Sequence, residues 1–218
     1  RQLGVQVGGR LLDKRVTYAT GIFNGTGVNT SANDSDKFMW AGRVSAVAWQ
    51  GPLLGEDTQL SLGADAISSA DANLPTQPAE FGFDLVPGGT KDNTFAGRRK
   101  AGGLDLQLHR GGFDLWAEYL RARFKPGNAL PSGSFDAAGW YVQAAYFAIP
   151  KDLQAVVKYD VFDPNAGIVA NSTRTWTLGA NYYRKGDDVK LQFDELLSDI
   201  DGVPTKNRKL ISRLQPFF

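Results

Sequence analysis

Cysteine is absent from this chain, so it can hold neither a disulfide framework nor a thiolate metal site. Histidine occurs once, at His109, which removes most histidine-based catalysis and histidine-rich metal binding. Neither sign of charge dominates: 24 basic against 23 acidic residues leave a net charge of +1, so no nucleic acid or other polyanion is implied as a partner. No apolar run approaches the roughly 18–20 residues of a membrane-spanning helix; the longest, Ala144–Ile149, has the length of a strand. The chain opens on Arg1 with neither an initiator methionine nor a signal peptide. Convincing helical periodicity is also missing. What is plentiful is glycine, at 25 residues, and aromatics, at 11%, a balance that favours strands and tight turns.

The final stretch, Lys209–Phe218, is strand-length and stops on an aromatic residue. Leu210, Leu214 and Phe218 share one parity, and Lys209, Arg213 and Gln215 the other. A soluble domain usually ends in a frayed polar tail, whereas a bacterial outer-membrane barrel closes on such a strand. The same period-2 alternation recurs about eleven times along the chain. It predicts strands over Gly4–Leu12, Val16–Phe23, Phe38–Trp49, Gln59–Ala66, Arg98–His109 and Phe113–Arg123. It continues over Trp140–Phe147, Gln154–Phe162, Thr175–Tyr183, Val189–Leu196 and the C-terminal segment.

The connections alternate as well. Short turns are predicted at Asp13–Arg15, Gly51–Asp57, Arg110–Gly112, Pro150–Leu153 and Lys185–Asp188. Long polar loops are predicted at Asn24–Lys37, Ile67–Phe95, Phe124–Gly139, Asp163–Arg174 and Ser198–Arg208. Short turns at one end and long loops at the other are the pattern of an up-and-down membrane barrel, whereas a Greek-key sandwich mixes the two. Trp40, Trp140 and Trp176 fall near the expected outer ends of strands, and Trp49 and Trp116 near the lower ends, as aromatic girdles would. With Phe218 at the periplasmic end, the strand count makes Gly4–Leu12 enter from outside. Single-chain bacterial barrels have an even strand number with both termini periplasmic. The expectation is therefore that residues 1–218 are the C-terminal portion of one barrel domain whose N-terminal strands are missing.

Leu3–Gly27 resembles the phosphate-selective porins O and P of the bacterial outer membrane, with Phe23–Gly25 and the ending Arg213–Phe218 as the more specific parts of the resemblance. Ala41–Ala46, Gly103–Leu108, Leu115–Ala122 and Arg213–Phe218 fit the same pattern. The resemblance implies an all-β, antiparallel, up-and-down transmembrane β-barrel of about sixteen strands, here about eleven, assembled as a homotrimer. It also implies passive diffusion of small hydrophilic solutes, anions such as phosphate among them. In the family, phosphate is held largely by an inward-folded loop and basic residues of the N-terminal half, which the strand count leads one to expect outside residues 1–218.

Strand parity sends Arg43, Arg99, Lys158, Lys190 and Arg213 to the pore wall, where fixed cations lower the barrier to anions. Asp65, Asp105, Asp114, Glu118, Asp160 and Asp194 share that parity, so cross-strand pairing that stiffens the wall is the competing role. Arg98, Lys100, Arg121 and Arg123 have outward parity at the outer end of one hairpin, together with Lys125 nearby. Like charges this close are destabilising without an anion between them, which makes them candidates for contact with lipopolysaccharide phosphates. Asn29–Asp36 and Asp199–Gly202 have a calcium-like composition without the ligand spacing. Gly88–Gly89, Gly102–Gly103 and Gly111–Gly112 open no helix that could cradle a phosphate. His109 has lumen parity and no serine beside it, unlike the lipid-facing pair of an outer-membrane lipase. No enzyme activity, metal or cofactor is expected. The alternative to a porin is a structural or adhesive barrel with a plugged lumen and partner-binding loops.

Overall fold

The structure, a computed structural model, describes residues 3–25, 36–75, 94–127, 133–184, 189–204 and 206–216. Eleven strands follow one another: β1 (Gly4–Leu11), β2 (Val16–Phe23), β3 (Met39–Leu53), β4 (Glu56–Pro75), β5 (Thr94–Arg110) and β6 (Phe113–Pro126), then β7 (Phe135–Ile149), β8 (Leu153–Asp163), β9 (Thr173–Arg184), β10 (Val189–Ile200) and β11 (Asn207–Pro216). Each pairs with its sequence neighbour, so one sheet runs in the order β1 to β11, and every pairing is antiparallel. β1 and β11 form its two edges.

Among the described residues few hydrophobic side chains are buried; Phe124 and Phe135 are, with their rings stacked 4.9 Å apart. Most of the large ones line one face of the sheet and stay exposed there: Val5 at 75%, Leu104 at 62%, Phe193 at 57% and Leu210 at 73%. The register explains this distribution. Leu62, Leu106 and Ala117 lie opposite one another across β4, β5 and β6, and Val157 and Leu178 face each other across β8 and β9. One residue along, the same strands present Gly63, Asp105 and Glu118, or Lys158 and Thr177, to the other face. Since side chains alternate at every step, this split is a direct product of the period-2 pattern.

Glu195 is one of the outward carboxylates that interrupt the apolar face. It lies opposite Leu178 and Leu210, and it is ion-paired with Arg208 of β11. An uncompensated charge on such a face is costly, and the pairing offsets that cost.

β4 and β5 are longer than their alternation predicts, and the expected loop Ile67–Phe95 is strand as far as Pro75 and again from Thr94. Likewise β6 continues to Pro126 and β7 begins at Phe135, so Trp140 lies inside β7 rather than at its start. In the extension of β4 the outward positions are Ser68 and Ala70, which face Lys100 and Arg98 of β5, so the apolar contrast vanishes while the backbone ladder continues. The turns Leu12–Arg15, Leu54–Gly55, Gly111–Gly112 and Pro150–Asp152 all fall at one end of the sheet. Leu54 and Gly55 both have positive φ, at 52° and 82°, the backbone that a two-residue hairpin with right-handed strand twist requires. Lys185–Asp188, Gly88–Gly89, Phe218 and all of Asn29–Asp36 except Asp36 lie outside the described residues.

Two tryptophans depart from simple parity. A register shift between Val47 and Trp49 of β3 brings Trp49 opposite Leu60, on the apolar face. Without that bulge its odd position would place it beside Arg43 and Ser45 on the polar face. Trp116 goes the other way. It lies opposite Gln107 and Gln143, on the polar face, and is no part of an outward girdle. Its nearness to a strand end suggested a girdle, but its even position, shared with Asp114 and Glu118, decides the side.

Candidate functional site

The polar face carries two separate charge clusters. In the first, Arg43 of β3 reaches Asp65 of β4 at 3.2 Å and Asp105 of β5 at 2.7 Å. Gly63 and Gly103 leave the space for it: a Cβ on Gly63 would collide with the Asp105 carboxylate and the Arg43 guanidinium. A Cβ on Gly103 would lie 3.0 Å from Asp65 Oδ2. Arg43 is thus held between two carboxylates, as cross-strand stiffening requires, and its guanidinium remains about half exposed.

The second cluster lines a trough of about 700 Å³ on the polar face of β6 to β10, toward the short-turn end. Lys151, Lys158 and Lys190 supply its positive charge, and Asp114 and Asp194 its negative charge. Lys158 Nζ is 3.1 Å from Asp160 and 4.9 Å from the centre of the Tyr141 ring. Lys190 Nζ lies 5.1 Å from the centre of the Tyr183 ring, a cation–π contact, and has no carboxylate at salt-bridge distance among the described residues. Between the lysines runs a ladder of amides. Asn181 Nδ2 donates to Gln154 Oε1 at 3.0 Å, Gln192 Nε2 donates to Asn181 Oδ1 at 3.1 Å, and the Tyr183 hydroxyl donates to Gln154 Oε1 at 3.1 Å. Gln154 and Asn181 are each only 6% exposed, so the ladder satisfies polar groups that would otherwise be buried alone. Asp114 is engaged by His109, 2.6 Å away. The wall can therefore offer cations and polar amides to a hydrated solute. The described part of the trough brings together no nucleophile–base pair.

The structure brings Lys158 and Lys190 into one trough, and Arg213 lies opposite Gln192 on the next strand of the same face. Arg43 stands apart, on β3. Arg99 also carries polar-face parity but is tied down: its Nε is 3.6 Å from Asp71 and 3.3 Å from the Ser69 hydroxyl, and its side chain is 14% exposed. Arg98, Lys100, Arg121 and Arg123 lie on the opposite, apolar-side face, where Lys100 faces Arg123 and Arg98 faces Lys125. An anion does sit beside them: Asp136 of β7 accepts from Arg121 at 2.8 Å and lies 3.7 Å from Arg123.

Lys151 and the amide ladder were not foreseen. Lys151 lies in a turn, at φ 68°, where strand parity assigns no side. The amides share polar-face parity with the lysines, and only the cross-strand register shows that Gln154, Asn181 and Gln192 are neighbours. Asp201, within the calcium-like segment, is engaged by Arg174.

Among curated proteins, none matches the chain by sequence. Among solved structures, an anion-selective porin from Comamonas acidovorans superposes with a TM-score of 0.59 at 13% identity, over 95% of this chain and 53% of that one. A BenF-like porin from Pseudomonas fluorescens gives 0.52 at 12% identity, over 97% of this chain and 54% of that one. Such identities speak for the fold: the eleven-stranded meander is built like the wall of a porin β-barrel. The chain spans about half the length of the solved porins it matches. Residues 84–209, more than half of the chain, match the family described as phosphate-selective porin O and P, and the chain belongs to that family.

Proposed function

We propose that this chain forms part of the wall of an outer-membrane porin through which small hydrophilic solutes, anions in preference to cations, cross by passive diffusion. One observation carries the reading: a single meander exposes large apolar side chains on one face and charged or amide side chains on the other. An exposed apolar face of this extent is stable against hydrocarbon, and a polar face behind it lines water. With both edge strands unpaired with each other in the sheet order, closure in a bilayer calls for further strands. Residues 1–218 are then one portion of a single barrel domain, and the homotrimer is the assembly that the family resemblance implies. The anion preference rests on Lys151, Lys158 and Lys190, which among the described residues line the trough with the carboxylates of Asp114 and Asp194 while Asp160 pairs with Lys158, and on Arg213 of the same face. Phosphate as the favoured anion is the finest part of the proposal, supported by the family's description.

The test is planar-bilayer recording on the intact protein in a salt gradient. A steady open conductance whose reversal potential lies toward chloride supports the reading. A reversal potential toward the cation overturns the anion preference, and a silent barrel points to a plugged structural or adhesive role.

A further inference from the structure

A basic ledge crosses the apolar-side face at the long-loop end of β5 and β6. Register places Arg98 opposite Lys125, Lys100 opposite Arg123, and Arg121 opposite Gly102, all on that face. Arg121 and Arg123 share one carboxylate, Asp136. Among the described residues, Arg98, Lys100 and Lys125 have no carboxylate at salt-bridge distance, so the ledge holds more cations than its single anion compensates. Asp163, in register with Ala138 one strand beyond Asp136, already accepts from the Asn165 amide at 3.0 Å. Like charges facing each other across a ladder are destabilising, and five of them on one outward face call for a multivalent anion.

The neighbourhood on the same face says which kind. Two to four residues toward the sheet's middle lies the row Leu104, Tyr119 and Trp140, in mutual register and exposed. Trp140 meets Tyr159 edge-on at 5.6 Å, and Tyr159 meets Trp176 at 4.7 Å, so an aromatic belt extends below the ledge. Aromatic belts of this kind mark the level of lipid headgroups. A cationic ledge directly above it fits an amphiphile: phosphate groups on the guanidinium and ammonium groups, acyl chains along Leu104 and Trp140. Free inorganic phosphate has no use for the belt.

We propose that Arg98, Lys100, Arg121, Arg123 and Lys125 form a binding site for the phosphate groups of an outer-leaflet glycolipid, lipopolysaccharide. Asp136 holds Arg121 and Arg123 extended toward it. The proposal rests on the outer-membrane reading above, but its test separates the two.

Intact protein is exchanged into phosphatidylcholine vesicles with or without lipid A, and lipid A retained on re-extraction is quantified. Lys100→Glu/Arg123→Glu, which reverses one facing pair, is expected to lower retention about tenfold or more. Lys100→Arg/Arg123→Lys is expected to keep it, and Arg184→Glu, on the same face at the short-turn end, to leave it unchanged. Dephosphorylated lipid A is expected to bind the wild type as weakly as phosphatidylcholine. Equal retention by wild type and the charge-reversed pair overturns the proposal, as does tight binding of inorganic phosphate without retention of lipid A. Conductance measured on the same samples keeps the readings apart: a silent protein that still retains lipid A through Lys100 and Arg123 sinks the porin alone. A conducting protein indifferent to those charges sinks the glycolipid site alone.

Discussion

At the scale of single residues, the polar face is organised by what glycine leaves empty. Gly63 lies beside the Arg43–Asp105 contact, and an added methyl would occupy the same space as both charged groups. Gly63→Ala is expected to destabilise the protein by about 1–3 kcal/mol, the usual range for overpacking a filled site. The denaturant midpoint of the protein in lipid vesicles checks this, and an unshifted midpoint would show that the pair has room to move. Arg43→Ala tests the same cluster from the other side. It leaves Asp65 and Asp105 without their shared cation, so the reversal potential in a salt gradient is expected to move toward the cation. No movement would mean that this cluster does not face the permeating ions. That Arg43 has polar-face parity was readable in the sequence; that two carboxylates clamp it was not. The residues lie 22 and 62 positions apart, and only the pairing of β3, β4 and β5 brings them together.

At the scale of elements, alternation determines which face a residue takes, and a bulge can reverse the assignment. Thr177 and Leu178 are chain neighbours on opposite faces of β9. Leu178→Arg is expected to cost about 2–4 kcal/mol where the outward face meets hydrocarbon, and Thr177→Arg far less. Equal costs in a vesicle unfolding titration would contradict the two-faced reading. On β3 the register shift between Val47 and Trp49 sends the indole outward. Deleting Ala48, the extra residue, is expected to restore unbroken alternation with Trp49 still opposite Leu60 on the apolar face, so an unshifted tryptophan emission is expected and a red shift would contradict the register. The strand count, the order and the turn end followed from the alternation alone. The full length of β4 did not, because Ser68 and Ala70, facing Lys100 and Arg98, show no apolar contrast where only backbone pairing continues. Trp116 illustrates the same limit: its place near a strand end says girdle, and its partners Gln107 and Gln143 say polar wall.

At the scale of the whole molecule, the trough gathers charge from elements distant in sequence. Lys151 comes from the β7–β8 turn, Lys158 from β8 and Lys190 from β10. Lys158→Gln/Lys190→Gln is expected to lower the anion-over-cation permeability ratio by a factor of about two to five, through loss of positive wall potential. Raising the salt concentration should shrink the difference between variant and wild type, because screening shortens the reach of fixed charge. A ratio that stays constant at low salt would remove these lysines from the account of selectivity.

The sequence by itself determined the class of architecture, the two-sidedness of each strand and the end at which the tight turns lie. These depend on period-2 alternation and on local turn chemistry, which are properties of neighbours along the chain. The resemblance carried by Leu3–Gly27 and the other quoted segments pointed to the family to which the match over residues 84–209 assigns the chain. Tertiary structure alone decided which charges meet. It clamped Arg43 between Asp65 and Asp105, set Asp136 beside Arg121 and Arg123, tied Arg99 to Asp71, and joined Gln154, Asn181 and Gln192 into a ladder. Parity says which face a side chain takes. The register between strands, which no single strand encodes, says what it finds there.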